Sequence, residues 1–248
     1  MSGAEAGSGT LYGVGVGPGD PELVTLKAVR ILRAVPVVAF FAKRGRVGHA
    51  RTIAAPHLPG GQQELRLEYP FTTEVPVSEP RYADAMRPFY DACAERIADH
   101  LAAGRDVAVL CEGDPFLYGS YMYLHDRLAG RFGNQVVPGV PGMGGCWAQA
   151  GTPIAQGDDV LTVLPGTLPE DELARRLVAT DAAVVMKVGR NLPRIRAALA
   201  RAGLLERALL VERGTMADGR AEPLAAHGGE CGVPYFSIVL VPGRRGAR

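Results

Sequence analysis

Gly104-Arg-Asp-Val-Ala-Val-Leu-Cys-Glu-Gly-Asp-Pro-Phe-Leu-Tyr-Gly119 constrains the fold more than any other stretch of the chain. Its apolar run, Val107 to Cys111, lacks the polar alternation of a half-exposed strand and reads as one buried on both faces. Glu112-Gly-Asp-Pro115 then stops it, because glycine frees the backbone and proline fixes it. Ser120 to Leu128 follows with helical spacing. Open parallel α/β sheets place their ligands on loops leaving the carboxyl ends of strands. A plain strand-to-helix turn needs the same residue types, so the weight of this loop depends on whether others like it occur.

One does, near the N-terminus. Thr10 to Val16 is a strand candidate that runs into Gly17-Pro-Gly-Asp-Pro-Glu22. A helix is predicted from Pro21 to Arg33, with Asp20 as N-cap, Pro21 at the first position and Leu23, Leu26, Val29, Ile31 and Leu32 as its apolar residues. Glycines stand at 13, 15, 17 and 19, and no starting point yields G-x-G-x-x-G, since the third required glycine falls on Pro18 or Asp20. G-K-[ST] is absent as well, which excludes a P-loop. What remains is a glycine-rich backbone wall that a flat ligand can approach closely.

Alternation continues along the chain. Val35–Phe41 reads as a buried strand, Gly48–His57 as a short helix, and Gln62–Pro80 as a strand with an irregular loop. Tyr82, Met86, Phe89, Cys93, Ile97 and Leu101 repeat at three- and four-residue steps, so Arg81–Ala103 is a helix with a core-facing stripe, ending at Gly104. Gly133 to Gly145 is another strand-to-loop transition. Past it, strands are predicted at Val160–Leu164, Ala182–Lys187, Ala208–Glu212 and Tyr235–Val241, with helices at Glu170–Ala179 and Leu192–Ala202. The expected organisation is a disordered tail (1–9), an N-terminal α/β domain (10–138) and a C-terminal α/β domain (139–248), with a cleft between the two domains.

Composition excludes several functions. With 47% hydrophobic and 21% charged residues and a formal net charge of +1, the chain of 248 residues has no global pull toward nucleic acid or anionic membranes. No apolar run approaches the roughly 20 residues that span a bilayer, and Met1–Gly9 lacks the basic flank and apolar core of a signal peptide. Cys93, Cys111, Cys146 and Cys231 form no C-x-x-C pair, which points to free thiols in a reducing cytoplasm and to no zinc or disulfide framework. His49, His57, His100, His125 and His227 are scattered, and G-x-S-x-G and H-E-x-x-H are absent, so no metal site is predicted. Lys43-Arg-Gly-Arg46, with His49 and Arg51 behind it, is the densest basic patch. Such a run is usually solvated surface; the alternative is a dock for an anionic substrate, since guanidinium groups pair well with carboxylates. On the residues alone, the chain is a two-domain α/β enzyme that binds a small polar cofactor.

Taken together, Gly15-Val-Gly-Pro-Gly-Asp20 with Leu23-x-Thr25-Leu26-x-Ala28, Glu112-Gly-Asp-Pro115 and Val137-Pro-Gly139 resemble the tetrapyrrole methyltransferase family. Phe41-Ala-Lys-Arg-Gly45, Tyr69-Pro-Phe-Thr-Thr-Glu74, Leu110–Phe116, Val163-Leu-Pro-Gly-Thr167 and Met186-Lys-Val-Gly-Arg-Asn191 are similar to the branch that acts at C20 of precorrin-2 in cobalamin biosynthesis. The resemblance runs from about Thr10 to Gly243. It implies a cytoplasmic homodimer of non-Rossmann α/β domains that binds S-adenosyl-methionine and a tetrapyrrole, without nucleic acid or membrane partners. It places cofactor contacts on Pro18, Glu112, Gly113, Asp114, Pro141, Gly142, Val188, Arg213, Gly214, Tyr235, Phe236 and Ser237. Pro141–Gly142 departs from the family, which usually carries small hydroxyl or alanine residues there, so only backbone contacts remain at that point. Substrate contacts fall on Gly17, Gly19, Asp20, Lys43, Arg44, Arg46, Thr72 and Thr73.

The implied chemistry is direct transfer, in which the electron-rich C20 takes the sulfonium methyl and then loses its proton, with positioning and exclusion of water supplying the acceleration. Asp114 and Glu112 would favour the positive sulfonium, although Asp114 has an equal claim to a structural role on the loop amides. Tyr118 and Tyr123 are candidates to orient the macrocycle or accept the proton. Three rivals stand beside this: the same reaction on cobalt-precorrin-2, methylation of ribosomal RNA or diphthine, and a non-catalytic module that senses the cofactor. Near-neutral charge opposes RNA, and the basic cluster with the long loop after Tyr69 suggests a second large ligand. Arg44→Glu is expected to raise KM for the tetrapyrrole and leave cofactor binding intact. An unchanged KM would return the cluster to ordinary surface charge.

Overall fold

The computed structural model describes residues 7–71, 79–228 and 232–243. The chain divides into two compact units, Met1–Pro141 and Gly142–Arg248, each of mixed α/β structure.

In the first unit β1 (Leu11–Gly15), β2 (Val37–Lys43), β3 (Gln63–Tyr69), β4 (Val107–Cys111) and β5 (Asn134–Val137) form one parallel sheet in the order β3-β2-β4-β1-β5. Between them lie α1 (Leu26–Ala34), α2 (His49–Ala54), α3 (Pro80–Ala102) and α4 (Tyr121–Leu128). The period of two along each strand sorts the core onto two faces. Val37, Ala39, Leu65, Leu67, Val107 and Val109 pack with Cys93, Ile97 and Leu101 of α3 and Leu124 and Leu128 of α4. Val38, Phe40, Ala108, Leu110 and Val137 pack with Ala28 and Leu32 of α1 and Ile53 of α2. Neighbouring strands β1 and β4 therefore send their chains in opposite directions over opposite faces: β1 through α1 to β2, and β4 through α4 to β5. Their carboxyl ends mark the topological switch point, where open sheets leave a crevice.

The second unit has α5 (Gly142–Gln149), β6 (Leu161–Pro165), α6 (Glu170–Val178), β7 (Ala182–Met186), α7 (Leu192–Arg201), β8 (Leu209–Glu212), β9 (Arg220–Pro223) and β10 (Ser237–Val241). Its sheet, ordered β6-β7-β10-β8-β9, is mixed: β6 and β7 run parallel, while β10 is antiparallel to both β7 and β8. Leu173 and Leu177 of α6 and Ile195 and Leu199 of α7 cover one face, and Cys146 of α5 joins the cluster on the other.

Three sequence expectations need correction. The helix expected from Pro21 to Arg33 is two pieces, a 3-10 turn at Pro21–Leu23 and α1. Asp20 Oδ1 accepts the Glu22 N–H (2.8 Å) and Thr25 Oγ1 accepts the Ala28 N–H (3.2 Å), so a second cap within the segment restarts the helix and leaves Leu26 exposed. Helix α5 and strand β9 were not anticipated, because Gly-Met-Gly-Gly has poor helix propensity and Arg-Ala-Glu-Pro carries no apolar signal. Gly9, assigned to the tail, is buried and donates its N–H to the Leu101 carbonyl (2.8 Å). The remainder of that tail before Gly7 lies outside the described residues, as do Thr72, Thr73 and Cys231.

Leu101 is fully buried between α3 and the sheet. Leu101→Ala is expected to lower the unfolding free energy by about 2–5 kcal/mol, as lost transfer energy plus the cavity left behind. Urea unfolding monitored by circular dichroism checks this; a loss under about 0.5 kcal/mol would show that the core can collapse around the gap.

Candidate active site

At the switch point, main chain meets main chain. Gly113 donates its N–H to the Gly17 carbonyl (2.8 Å), and Val16 donates to the Cys111 carbonyl (2.9 Å). A Cβ on Gly139 would lie 2.1 Å from the Gly113 oxygen, and one on Gly15 would lie 2.5 Å from the Gly139 nitrogen. Side chains at these positions would drive the ends of β1, β4 and β5 apart. The structure thereby brings Gly17, Pro18, Glu112, Gly113 and Asp114 together, with Pro18 buried.

Both carboxylates of this loop have structural partners. Asp114 accepts from the Phe116 N–H through Oδ1 (2.9 Å) and from the Gly139 N–H through Oδ2 (3.2 Å). It clamps its own turn to the loop after β5. Glu112 reaches α2: its Oε1 accepts the Ala50 N–H (3.0 Å). The N-cap of α2 is Gly48, where a Cβ would lie 2.4 Å from the Phe41 oxygen, so no side chain at that position can cap the helix. Glu112 supplies the missing oxygen from the end of β4, and its charge suits a helix N-terminus. Part of the Glu112 surface stays accessible, but dehydration by the surrounding protein dominates and holds its carboxyl above the ordinary value. The backbone amides of Glu112 and Ala50, and then His49, oppose that rise.

Tyr118 sits in this loop with φ of 56°, left-handed backbone that costs a residue other than glycine. Tyr123 lies on α4, half exposed, stacked on Tyr90 with centroids 4.4 Å apart. Lys43 ends β2 and forms with Arg44, Gly45 and Arg46 an exposed turn closed by Arg46 N–H to the Lys43 carbonyl (2.9 Å). Because β2 neighbours β4, this basic turn shares the carboxyl edge of the sheet with Gly17, Gly19 and Asp20. Arg51 instead pairs with Glu64 (2.7 Å).

In the second unit the expected residues converge on one sheet edge. β10 is antiparallel, and Ser237 stands opposite Glu212 and Val239 opposite Val185. The start of β10, with Tyr235, Phe236 and Ser237, thus lies beside the ends of β7 and β8, with Val188, Arg213 and Gly214. Arg213 donates its N–H to the Phe236 carbonyl (2.6 Å), and its guanidinium pairs with Asp218. Ser237 Oγ donates to the Pro234 carbonyl (2.8 Å). Gly214 presses on α5, where an added Cβ would lie 2.8 Å from Cys146 Sγ. Lys187, Arg213 and Thr215 all have positive φ (58°, 50° and 68°), a concentration of strained backbone typical of ligand sites. Sequence reasoning passed over Lys187 and Thr215, since nothing in residue type signals positive φ there. Pro141 closes the first unit, and Gly142 opens α5 in the second.

A parallel sheet with a glycine-lined switch point and a mixed sheet with a strained edge, in one chain, define a two-unit α/β ligand-binding enzyme outside the Rossmann class. The chain belongs to the Tetrapyrrole (Corrin/Porphyrin) Methylases, whose family model matches residues 10–225. It is 56% identical over 243 residues to a precorrin-2 C(20)-methyltransferase of Sinorhizobium sp, covering 98% of each chain. It is 32% identical to a cobalt-precorrin-2 C(20)-methyltransferase of Salmonella typhimurium, covering 94% of this chain and 96% of the relative. Uroporphyrin-III C-methyl transferase from Thermus thermophilus, complexed with S-adenyl homocysteine, has the same fold: TM-score 0.67 at 23% identity, over 94% of this chain and 92% of that one.

The clamp predicts a graded response. Asp114→Ala is expected to cost about 2 kcal/mol, because two loop amides lose their acceptors, while Asp114→Asn keeps one acceptor and costs less. Chemical denaturation measures both; equal stability for wild type and Asp114→Ala would remove the clamp.

Proposed function

We propose that this chain is an S-adenosyl-methionine-dependent methyltransferase that methylates C20 of precorrin-2, giving precorrin-3A, in cobalamin biosynthesis. One observation carries the reading: the similarity to the Sinorhizobium precorrin-2 C(20)-methyltransferase runs through nearly the whole of both chains. The lower identity to the Salmonella relative named for the cobalt-bound substrate favours the metal-free one.

S-adenosyl-methionine, when bound, supplies a methyl group on a sulfonium, an electrophile that an electron-rich meso carbon can take up directly. The residues present fit such a group. Gly15 and Gly139 leave main chain uncovered where a Cβ would fill the space, Gly113 takes a left-handed backbone (φ 65°), and exposed main chain offers donors and acceptors without intruding side chains. The family resemblance puts the expected cofactor contacts of the first unit on Pro18, Glu112, Gly113, Asp114 and Pro141, and those of the second unit on Gly142, Val188, Arg213, Gly214, Tyr235, Phe236 and Ser237. The Asp114 clamp keeps the Gly113 and Gly139 backbone in place before any ligand arrives, and such preorganisation is the main service direct transfer requires. Lys43, Arg44 and Arg46 pair with carboxylates of the macrocycle, beside Gly17, Gly19, Asp20, Thr72 and Thr73. Tyr118 and Tyr123 are the candidates to orient the macrocycle or accept the C20 proton. The active species in this reading is a cytoplasmic homodimer, which the family resemblance supports. No helix among the described residues is long and apolar enough to cross a membrane.

The test is an anaerobic assay with S-adenosyl-methionine and precorrin-2, with and without cobalt, followed by product mass. A gain of one methyl on the metal-free substrate is expected. Activity with cobalt alone would move the enzyme to the metal-bound substrate, and no methyl on either would leave only the family.

A further inference from the structure

Helix α3 has a second flank beside its core stripe. Tyr82, Met86 and Tyr90 recur at four-residue steps, and with Arg87 they face Tyr123 and Arg127 of α4 across a groove of about 340 Å³. Met86 and Tyr90 form a buried floor, and Tyr123 stands half exposed as a wall stacked on Tyr90. Cations rim it. The Arg127 guanidinium lies 5.9 Å from the Tyr90 ring centre, and its Nε donates to Asp91 (2.7 Å). Arg87 is exposed and forms no ion pair among the described residues. Asp91 balances one guanidinium, so the rim keeps a positive excess above an aromatic floor.

The groove also communicates with the loop after β4. The Tyr90 hydroxyl donates to Ser120 Oγ (3.2 Å), and Ser120 Oγ lies 2.6 Å from the Tyr69 hydroxyl at the end of β3. Ser120 closes the loop that starts at Glu112, so a single hydroxyl ties the groove floor to the far end of that loop and to the end of β3.

We propose that this groove is a substrate subsite: it receives one edge of the tetrapyrrole, a single pyrrole-derived ring against Tyr82, Tyr90 and Tyr123, with that ring's carboxylate arm on Arg87. This rests on the function proposed above and adds a location to it. The volume lies at the small end of ligand pockets, roughly 300–1,000 Å³, which suits one ring and its arm and leaves the rest of the macrocycle outside. Charge complementarity selects the occupant. A flat conjugated ring stacks on tyrosine faces, and an anionic arm meets a guanidinium that has no ion pair among the described residues and that an apolar partner surface would bury without compensation.

Arg87→Glu and Tyr82→Ala are exposed or half-exposed changes that leave the core untouched. Each is expected to raise KM for precorrin-2 about tenfold, the scale of one charge-assisted contact, with kcat within about twofold of wild type. Arg87→Lys is expected to recover most of the loss. S-adenosyl-homocysteine affinity, by calorimetry, should be the same in all variants. An absorbance titration with uroporphyrin, a stable polycarboxylate porphyrin, reads the groove without turnover: Arg87→Glu should weaken it. Wild type that binds uroporphyrin but transfers no methyl would sink the assigned reaction and leave the groove standing. Wild-type KM and unchanged uroporphyrin affinity in both Arg87→Glu and Tyr82→Ala would overturn the groove. A KM rise that coincides with loss of the dimer in light scattering would also overturn it, by assigning the surface to a second copy of the chain.

Discussion

The close approach of three backbone segments, at Gly15, Gly113 and Gly139, is the contact on which the first unit depends. Strands β1 and β4 are neighbours whose chains leave over opposite faces, so their carboxyl ends must lie side by side while their loops diverge. Glycine is required at 15 and 139 because a Cβ there would fall within 2.1–2.7 Å of another segment's backbone, and at 113 because the backbone is left-handed (φ 65°). A site walled by main chain offers fixed donors and acceptors and little titratable chemistry. That is adequate for a reaction in which a reactive donor and an electron-rich acceptor need chiefly to be aligned.

Much of this was legible in the sequence, for identifiable reasons. Val107–Cys111 and Val37–Phe41 are buried on both faces, so their apolar runs announced parallel strands without alternation. The α3 stripe at Met86, Cys93, Ile97 and Leu101 was visible as core because helical periodicity survives in any single-chain reading. Hidden features were those set by distant partners. Glu112 caps a helix whose amide is 62 residues away, and only the fold reveals that Gly48 cannot do so itself. Helix α5 forms against its own propensity because its small residues permit close packing on Gly214. The groove is hidden in the sequence because Tyr82 keeps the helical spacing of the core stripe, yet it is only partly buried and lines the groove with Met86 instead of packing in the core.

Acidic residues of the loop after β4 illustrate how side chains from one turn can tie distant segments together. Asp114 spends an oxygen on each of two amides, and Glu112 spends one on α2. The loop therefore holds two acidic side chains whose positions are set by the backbone they clamp. At Asp114 the bonds are those of a structural clamp on loop amides, and they fix where both its oxygens sit.

Unusual backbone in this chain has two origins. Where segments approach closely, as at Gly15, Gly139 and Gly214, the residue is glycine, since a Cβ has nowhere to go. Elsewhere Tyr118 in the first unit, and Lys187, Arg213 and Thr215 along the edge of the second sheet, adopt the left-handed region while keeping their side chains. Each costs about 1–2 kcal/mol relative to a residue without a Cβ. Glycine would relieve that cost, so the side chains must contribute something glycine cannot. At Arg213 the contribution is visible: the guanidinium holds Asp218 while the N–H holds the Phe236 carbonyl, tying the end of β8 to the approach to β10. Strain here therefore marks positions where a side chain and an unusual backbone are needed at once. Those of the second unit gather at the ends of β7 and β8, beside the start of β10.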